Sequence, residues 1–95
     1  MGNAPLVSVI VPVFNDADRL QLCLNALAVQ TYKQECYEVI VIDNASDKAQ
    51  KISDVVIDFS FATYTYESTP GSYAARNAGI AIARGTILAF TDADC

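Results

Sequence analysis

A chain of 95 residues is enough for one domain, and its composition excludes several broad classes of protein. Apolar residues make up 53% of the chain and charged residues only 18%, which excludes a disordered tail. The net charge of −5 argues against a nucleic-acid-binding protein, because such a protein presents a basic face to phosphate. An acidic protein can still bind an anionic ligand when a divalent cation lies between them.

The cysteines and the N-terminus bear on the cellular compartment. Cys23, Cys36 and Cys95 form no Cys-x-x-Cys pair, and the sequence has no histidine, which disfavours a zinc site. We interpret them as reduced cysteines that pack in a cytoplasmic protein. No basic segment precedes the first apolar run, so no signal peptide is predicted. Membrane association through another part of a longer parent protein stays open.

The hydrophobic pattern predicts four strands that alternate with three helices. The predicted strands are Leu6–Phe14, Tyr37–Ser46, Ala62–Ser68 and Thr86–Asp94. The predicted helices begin at Asn15 or Asp16, at Ser46 or Asp47, and at Ser72, with Ala49, Ile52 and Val56 as the inner face of the second and Gly85 as the stop of the third. The first strand is uncharged and rich in β-branched residues, as expected for burial on both faces, whereas the alternating third strand suits an edge.

This β-α-β-α-β-α-β order predicts an α/β fold: a Rossmann-like, three-layer α/β/α arrangement with a mainly parallel sheet and right-handed crossovers. Ligands of such sheets bind outside the carboxyl ends of the strands. Acidic side chains follow three of the predicted strands, namely Asp16, Asp43, and the pair Asp92 and Asp94. We therefore expect a functional site at this end of the sheet.

Asp92 and Asp94 stand two residues apart, so their side chains point to the same side of an extended strand. Neighbouring carboxylates repel each other unless a cation joins them, and Mg²⁺ or Mn²⁺ takes oxygen ligands together with substrate phosphates. The pair therefore suggests a metal that bridges the protein and a phosphorylated ligand. On spacing alone, a solvated turn is the better interpretation.

The other polar strand ends also allow two interpretations each. Asp43 could accept hydrogen bonds from a ribose or a base, or could cap the turn that follows it. Phe14 could pack on a base beside Asn15, although a core Phe with a capping Asn is locally favoured. Arg76, one turn into the third helix, could reach a diphosphate, although an exposed Arg on a small-residue packing helix is commoner. No G-x-G-x-x-G or Walker pattern is present, which disfavours a nicotinamide dinucleotide.

Together, "VSVIVPVFN", "VIVIDNAS", "GSYAARNAG" and "FTDAD" resemble, in this order, the N-terminal half of a family-2 glycosyltransferase. The resemblance runs from Pro5 to the last residue. It implies a glycosyltransferase A fold, truncated here, with strand order 3-2-1-4, and a site for a nucleotide-diphosphate sugar. Residues 1–95 would then be a single domain, the donor-binding fragment of a larger enzyme.

The resemblance also implies roles for particular residues. The base would lie against Pro12, Phe14 and Asn15, and Asp43 would accept a hydrogen bond from it. Arg76 would lie near the nucleotide. Asp92 would lie near the ribose or sugar and the metal, and Asp94 would be the usual ligand of Mg²⁺ or Mn²⁺. Family members often have two acids where this chain has Asp43 and Asn44, which leaves the base open, with a UDP-sugar favoured.

The activity that the resemblance implies is inverting, metal-dependent hexosyl transfer. The family's catalytic base and acceptor region lie downstream of the Asp-x-Asp motif, and this chain ends at Cys95. We therefore expect a donor-binding fragment without a catalytic residue of its own and without transferase activity. The apolar fourth strand, left as an edge, is expected to pair with another copy and form dimers or aggregates.

Three other interpretations compete with this one. A nucleotidyltransferase would carry a glycine-rich, basic stretch after the first strand, which "PVFNDADRL" does not supply. A receiver or flavodoxin-like domain would need an acid pair after that strand, which Asp16 and Asp18 imitate weakly, and an acid after the third, which is missing. A purely structural interaction module is allowed by the excess of apolar residues.

Overall fold

Strands and helices alternate along residues 6–29 and 36–91, the part of the chain that this computed structural model describes. The elements are β1 (Val7–Val13), α1 (Ala17–Ala28), β2 (Tyr37–Asp43), α2 (Ile52–Val56), β3 (Ala62–Tyr66), α3 (Ser72–Ile82) and β4 (Ile87–Phe90), with a 3₁₀ turn at Lys48–Gln50. The strands form one parallel sheet in the order β3-β2-β1-β4. The predicted α/β fold and strand order are confirmed.

The two central strands are buried on both faces because helices cover each side of the sheet. One face packs against α1 and α2 through Val9, Val11, Val39, Val41, Leu20, Leu24, Ile52 and Val56. The other packs against α3 through Ile10, Ile40, Ile42 and Ala75. Alternate residues of β1 and β2 therefore belong to different cores, as the period of a strand requires. This arrangement confirms the predicted layers.

Small residues let α3 approach the sheet closely. Ala75 is fully buried against the isoleucine face. A Cβ atom added to Gly79 would lie 2.6 Å from Cγ2 of Ile10 and 3.0 Å from Cδ1 of Ile42. Real Cβ contacts of that length would push the helix away from the sheet. The alanine and glycine of "AARNAG" are therefore packing residues, as predicted.

Hydrogen bonds close the amino end of the sheet around Ser8, Glu38, Arg84 and Gly85, here called the N-terminal cluster. The hydroxyl of buried Ser8 donates to Oε2 of Glu38 (2.6 Å) and accepts from the backbone N–H of Gly85 (2.8 Å). The backbone N–H of Arg84 also donates to Oε2 of Glu38 (2.7 Å). These bonds join β1, β2 and the segment that leads from α3 to β4.

Gly85 has a different role from the predicted one. Helix α3 ends at Ile82, and Ala83 already has an extended backbone, so Gly85 does not terminate the helix. A Cβ atom on Gly85 would lie 2.6 Å from the carbonyl oxygen of Leu6 and 2.8 Å from the backbone nitrogen of Ser8. Glycine is required here because two backbones meet.

The second helix also departs from the prediction. Ala49 is exposed on the 3₁₀ turn, and α2 begins only at Ile52. Lys51 precedes α2 in a left-handed conformation with φ of 51°, so neither predicted cap begins that helix. Asp47 instead stands at the N-cap position of the 3₁₀ turn, without a capping hydrogen bond to its side chain. The hydroxyl of Ser46 instead accepts a hydrogen bond from the backbone of Asn15. Ile52 and Val56 are buried, as expected of the inner face.

Strand β4 is the less covered edge of the sheet. Ile87, Leu88 and Phe90 are 46%, 41% and 47% exposed. The strand was expected to reach Asp94; its described part ends at Phe90, and the rest of the expected strand lies outside the described residues. Among the described helices, none combines the length and the apolar character that a membrane span requires.

Candidate functional site

The segment after β1 supplies an exposed aromatic ring and a link to the neighbouring strand. Phe14 is 61% exposed, so the interpretation as a core Phe is wrong. Asn15 has a positive φ of 50°, donates its backbone N–H to Oγ of Ser46 (2.9 Å) and accepts at Oδ1 from the N–H of Asp47 (2.6 Å). Asp16, not Asn15, caps α1, since its Oδ1 accepts from the N–H of Arg19 (3.3 Å). The bonds of Asn15 hold the segment after β1 against the segment after β2.

A mostly apolar cleft opens beside Phe14 at the carboxyl ends of β1 and β2. Its volume is about 340 Å³, and it is lined by Pro12, Val13, Phe14, Asn44, Pro70 and Gly71. Phe14 and Pro70 supply flat apolar surface, and such surface can stack against a planar ring. The cleft brings together two of the predicted site residues, Pro12 and Phe14.

Asn44 lines this cleft, although no role was predicted for it from the sequence. Its side-chain nitrogen Nδ2 donates to the carbonyl oxygens of Glu67 (3.2 Å) and Thr69 (2.7 Å), and its Oδ1 accepts from the N–H of Gly71 (3.0 Å). The side chain is almost fully buried. The signal that could have found it is the amide in a position where family members often carry a second acid.

Asp43 is buried at the end of β2, and each of its carboxylate oxygens accepts a hydrogen bond. Oδ1 accepts from the N–H of Ser46 (3.0 Å) and Oδ2 from the hydroxyl of Tyr64 (2.7 Å). The first bond is the turn cap that the sequence allowed as one interpretation. A carboxylate has about four lone-pair positions, so the capping role leaves acceptor capacity for a ligand.

Tyr64 keeps its proton over the working range of pH. Burial, followed by the hydrogen bond to Asp43 and the negative charge of that carboxylate, raises the pKa of Tyr64 to about 12. The phenol therefore remains a hydrogen-bond donor to Asp43. The orientation of the Asp43 carboxylate is fixed on both sides, by Ser46 and by Tyr64.

A second, more polar recess of about 260 Å³ lies on the α2 side of β2. It is lined by Asp43, Ser46, Asp47, Lys48, Lys51, Ile52, Ser53, Tyr64 and Tyr66. Asp43 belongs to this recess, whereas Phe14 belongs to the apolar cleft. The structure therefore places these two predicted base-contacting residues in adjacent recesses, with the turn from Asn44 to Ser46 between them.

The remaining predicted residues lie outside both recesses. Arg76 is exposed on α3, and within the described ranges it is not among the lining residues of either recess. Asp92 and Asp94, the proposed metal ligands, lie outside the described residues. Within the part of the chain that the structure describes, no group of three or more acidic or cysteine side chains could hold a metal ion. Carboxylate oxygens are nevertheless the ligands that Mg²⁺ and Mn²⁺ prefer, so Asp92 and Asp94 suit the predicted ion chemically.

Comparison with known proteins assigns the chain to a family. The model of glycosyl transferase family 2 matches residues 8–95, and the chain belongs to this family. Glycosyltransferase AglE of Haloferax volcanii is 48% identical over 96% of this chain and 31% of its own length. The uncharacterized glycosyltransferase YibD of Escherichia coli is 31% identical over 99% of this chain and 27% of its own length. The chain thus spans roughly a third or less of these curated relatives.

Solved structures of similar fold include complexes with nucleotides. TarS of S. aureus in complex with UDP superposes with a TM-score of 0.81 and 29% identity, covering 94% of this chain and 27% of TarS. The mannosyltransferase PcManGT of Pyrobaculum calidifontis, in complex with GDP-Man and Mn²⁺, superposes with a TM-score of 0.80 and 31% identity. The match covers 95% of this chain and 28% of that enzyme. With the strand order above, these neighbours confirm a truncated glycosyltransferase A fold.

Proposed function

We propose that this chain binds the donor nucleotide sugar of an inverting, metal-dependent glycosyltransferase. The observation that carries the proposal is the open cleft beside exposed Phe14, at the strand ends where α/β sheets bind ligands. Family membership supports it, as do the UDP and GDP-Man bound by the solved neighbours. Family membership also makes the nucleotidyltransferase and receiver interpretations the weaker ones.

In this proposal each predicted residue has a physical task. The base stacks on Phe14, beside Pro12 and Asn15, and Asp43 accepts a base N–H. Arg76 approaches the diphosphate. Asp92 approaches the ribose or sugar, and Asp92 and Asp94 together hold the ion. The exposed guanidinium of Arg76 has no ion pair among the described residues and so can turn toward a phosphate. The remaining lone pairs of Asp43 suit either an imide or a guanine N–H.

Mg²⁺ or Mn²⁺, when bound, would offset the negative charge that develops on the diphosphate as the sugar–phosphate bond breaks. The protein's own part is to hold the base, to approach the diphosphate with Arg76, and to hold the ion with Asp92 and Asp94. We assign no catalytic base to these residues, and we propose that the chain alone transfers no sugar. Transfer of a hexose by the purified 95-residue chain would contradict that part of the proposal.

A calorimetric titration tests donor binding. UDP-sugars and GDP-sugars are titrated with and without Mn²⁺ into the wild type, Asp94→Ala and the control Asp58→Ala, which removes an equal charge from an exposed position after α2. We expect Mn²⁺-dependent binding, stronger for the UDP-sugar, that Asp94→Ala weakens by about tenfold or more and Asp58→Ala leaves unchanged. Binding that ignores both Mn²⁺ and Asp94→Ala would contradict the metal assignment.

The exposed edge β4 supports a second proposal, self-association of this chain. Ile87, Leu88 and Phe90 are each more than 40% exposed. An apolar edge strand can pair with the same strand of another copy. Light scattering is expected to show dimers or larger species that Leu88→Lys reduces. A monomer at every concentration would contradict this proposal.

A further inference from the structure

We infer that Asn44 is a positioning residue of the donor site and that the site requires a carboxamide, not a carboxylate, at this position. The inference rests on the proposed function, because it takes the apolar cleft as the place of the nucleotide. Asn44 would act by holding the segment with Pro70 and Gly71, which forms one side of the cleft, and need not contact the reacting atoms.

The contacts of Asn44 use both ends of its amide. The nitrogen donates to the carbonyl oxygens of Glu67 and Thr69 at 3.2 and 2.7 Å, while the oxygen accepts from the N–H of Gly71 at 3.0 Å. All three partners belong to residues 67–71, the connection from β3 to α3, here called the β3–α3 loop. One buried side chain at the end of β2 therefore fixes both ends of this loop.

Other hydrogen bonds of the loop are local or lie at its first residue. The carboxylate of Glu67 accepts from the N–H of Thr69 (2.9 Å), and the N–H of Glu67 donates to the carbonyl of Asp43 (2.9 Å). Gly71 has φ of 114°, a backbone conformation that residues other than glycine rarely adopt. The Asn44 amide thus fixes the far end of the loop, where the backbone turns into α3.

The same loop forms the wall of the cleft across from β1. Pro70 and Gly71 line the cleft together with Phe14 and Pro12. The separation between Phe14 and Pro70 sets the space for a planar ring, so it depends on where Asn44 holds the loop. A wall that is already in place spares the ligand the entropy cost of ordering it.

A carboxylate cannot make these contacts. It carries no proton to donate, so it would face the carbonyls of Glu67 and Thr69 with acceptors on both sides. The bond from Gly71 could remain, but the carbonyl oxygens of Glu67 and Thr69 would lose this donor, and the negative charge on the almost fully buried side chain would be desolvated. Since Asn and Asp have nearly the same shape, Asn44→Asp isolates this effect from changes in packing.

The test compares Asn44→Asp with Asn25→Asp, which makes the same chemical change on the exposed surface of α1. UDP and GDP are titrated calorimetrically with Mn²⁺ at about pH 7.5 and about pH 5, and amide hydrogen exchange of Gly71 is followed without nucleotide. Asn44→Asp is expected to bind about tenfold more weakly at the higher pH and to speed the exchange of Gly71. Asn25→Asp is expected to match the wild type.

Protonation supplies a readout that a purely structural role would not move. At the lower pH the carboxyl introduced by Asn44→Asp gains a proton, because burial and the facing carbonyls raise its pKa, and it can again donate to one carbonyl. Binding relative to wild type should therefore recover in Asn44→Asp as the pH falls. Asn44→Ala, which has no proton to gain, should lose binding at both pH values without recovery.

The outcomes separate the two proposals. A wild type that binds neither nucleotide contradicts the proposed function, whatever the variants do. A wild type that binds, beside an Asn44→Asp variant that binds equally well with unchanged exchange at Gly71, overturns the role of Asn44. Should Asn44→Asp fail to fold, Asn44→Ala decides, since wild-type affinity in that variant would also overturn it.

Discussion

The two ends of the parallel strands are built differently. The amino end is closed by the N-terminal cluster, in which Ser8, Glu38 and the backbone of Gly85 satisfy one another over distances of 2.6 to 2.8 Å. The carboxyl end holds two recesses and the exposed ring of Phe14. In this chain one end of the sheet is therefore built for stability and the other is open to a ligand.

Backbone conformation follows the same division. Every positive φ in the described ranges belongs to a segment at the carboxyl end, at Asn15, Ala45, Lys51 and Gly71. Such conformations are costly for residues other than glycine, and they persist where surrounding hydrogen bonds hold them. The bonds of Asn15 and Asn44 are of this kind. Backbone strain is therefore concentrated at the end of the sheet where the ligand is proposed to bind.

Gly85→Ala should give the largest loss of stability. The new Cβ would lie 2.6 Å from the carbonyl oxygen of Leu6, and this backbone atom cannot turn aside as a flexible side chain could. We expect a loss of about 2–3 kcal/mol in the free energy of unfolding, measured by urea denaturation, with little change in nucleotide affinity relative to folded protein. If Gly85→Ala were as stable as the wild type, the close backbone contact between Gly85 and Leu6 would not be a tight constraint on the amino end of the sheet.

Gly71→Ala should cost less stability but more binding. A Cβ atom on Gly71 would meet no atom within 4 Å, so no steric clash is expected. The loss of stability would come from the backbone conformation, because φ is 114°. We expect a loss of about 1–2 kcal/mol in the free energy of unfolding, with weaker nucleotide binding because the loop moves. If Gly71→Ala bound nucleotide as well as Gly85→Ala did, the two ends would not differ in the way proposed.

Glu38 should make the amino end sensitive to acid. Burial opposes its ionisation, but hydrogen bonds from Ser8 and from the backbone and side chain of Arg84, with the charge of Arg84, lower the pKa of Glu38 below its ordinary 4.5. A lowered pKa means that the unfolded chain binds this proton more tightly than the folded one. The stabilisation is therefore present above the unfolded pKa and is lost as the pH falls through the folded one.

Urea denaturation from neutral pH down to about pH 3 checks that sign. The wild type should lose stability below pH 4.5 more steeply than Glu38→Gln. Glu67→Gln is a matched control, because Glu67 lies in the β3–α3 loop at the other end. Identical slopes for wild type and Glu38→Gln would contradict the lowered pKa.

The smallest effect concerns the titration of Tyr64. Its pKa of about 12 reflects burial first, then the hydrogen bond and charge of Asp43. Asp43→Asn removes the charge, so the pKa of Tyr64 should fall yet stay above 10.0, because burial persists. Carbon-detected NMR of the tyrosine rings follows this change, with Tyr73, exposed on α3, as the internal control. A pKa of Tyr64 that is the same in Asp43→Asn as in the wild type would contradict the influence of Asp43 on this phenol.

Much of the fold could be predicted because it depends on local pattern. The apolar runs of β1 and β2 and the small residues of α3 determine which elements form and which sides are buried. The strand order came from the resemblance, and the sheet has it. Motif positions such as Phe14 and Asp43 were likewise found at the expected strand ends.

What the sequence missed depends on contacts between distant segments. The amide of Asn44 donates to carbonyl oxygens 23 and 25 residues further along the chain, and local sequence patterns do not indicate such long-range contacts. Gly85 was interpreted as a helix stop because its approach to Leu6 spans nearly the whole described chain. Phe14 was taken locally as a core residue because the opening beside it is formed by Pro70 and Gly71.

NMR mapping of nucleotide binding tests the contrast between the two ends most directly. Backbone amide shifts are recorded while UDP or GDP is added in the presence of Mn²⁺. The proposed site predicts saturable shifts at Phe14, Asn44 and Gly71, with Ser8 and Gly85 unmoved. Shifts centred on the N-terminal cluster, or none at the cleft when nucleotide is bound, would contradict the proposal that the carboxyl end is the donor site.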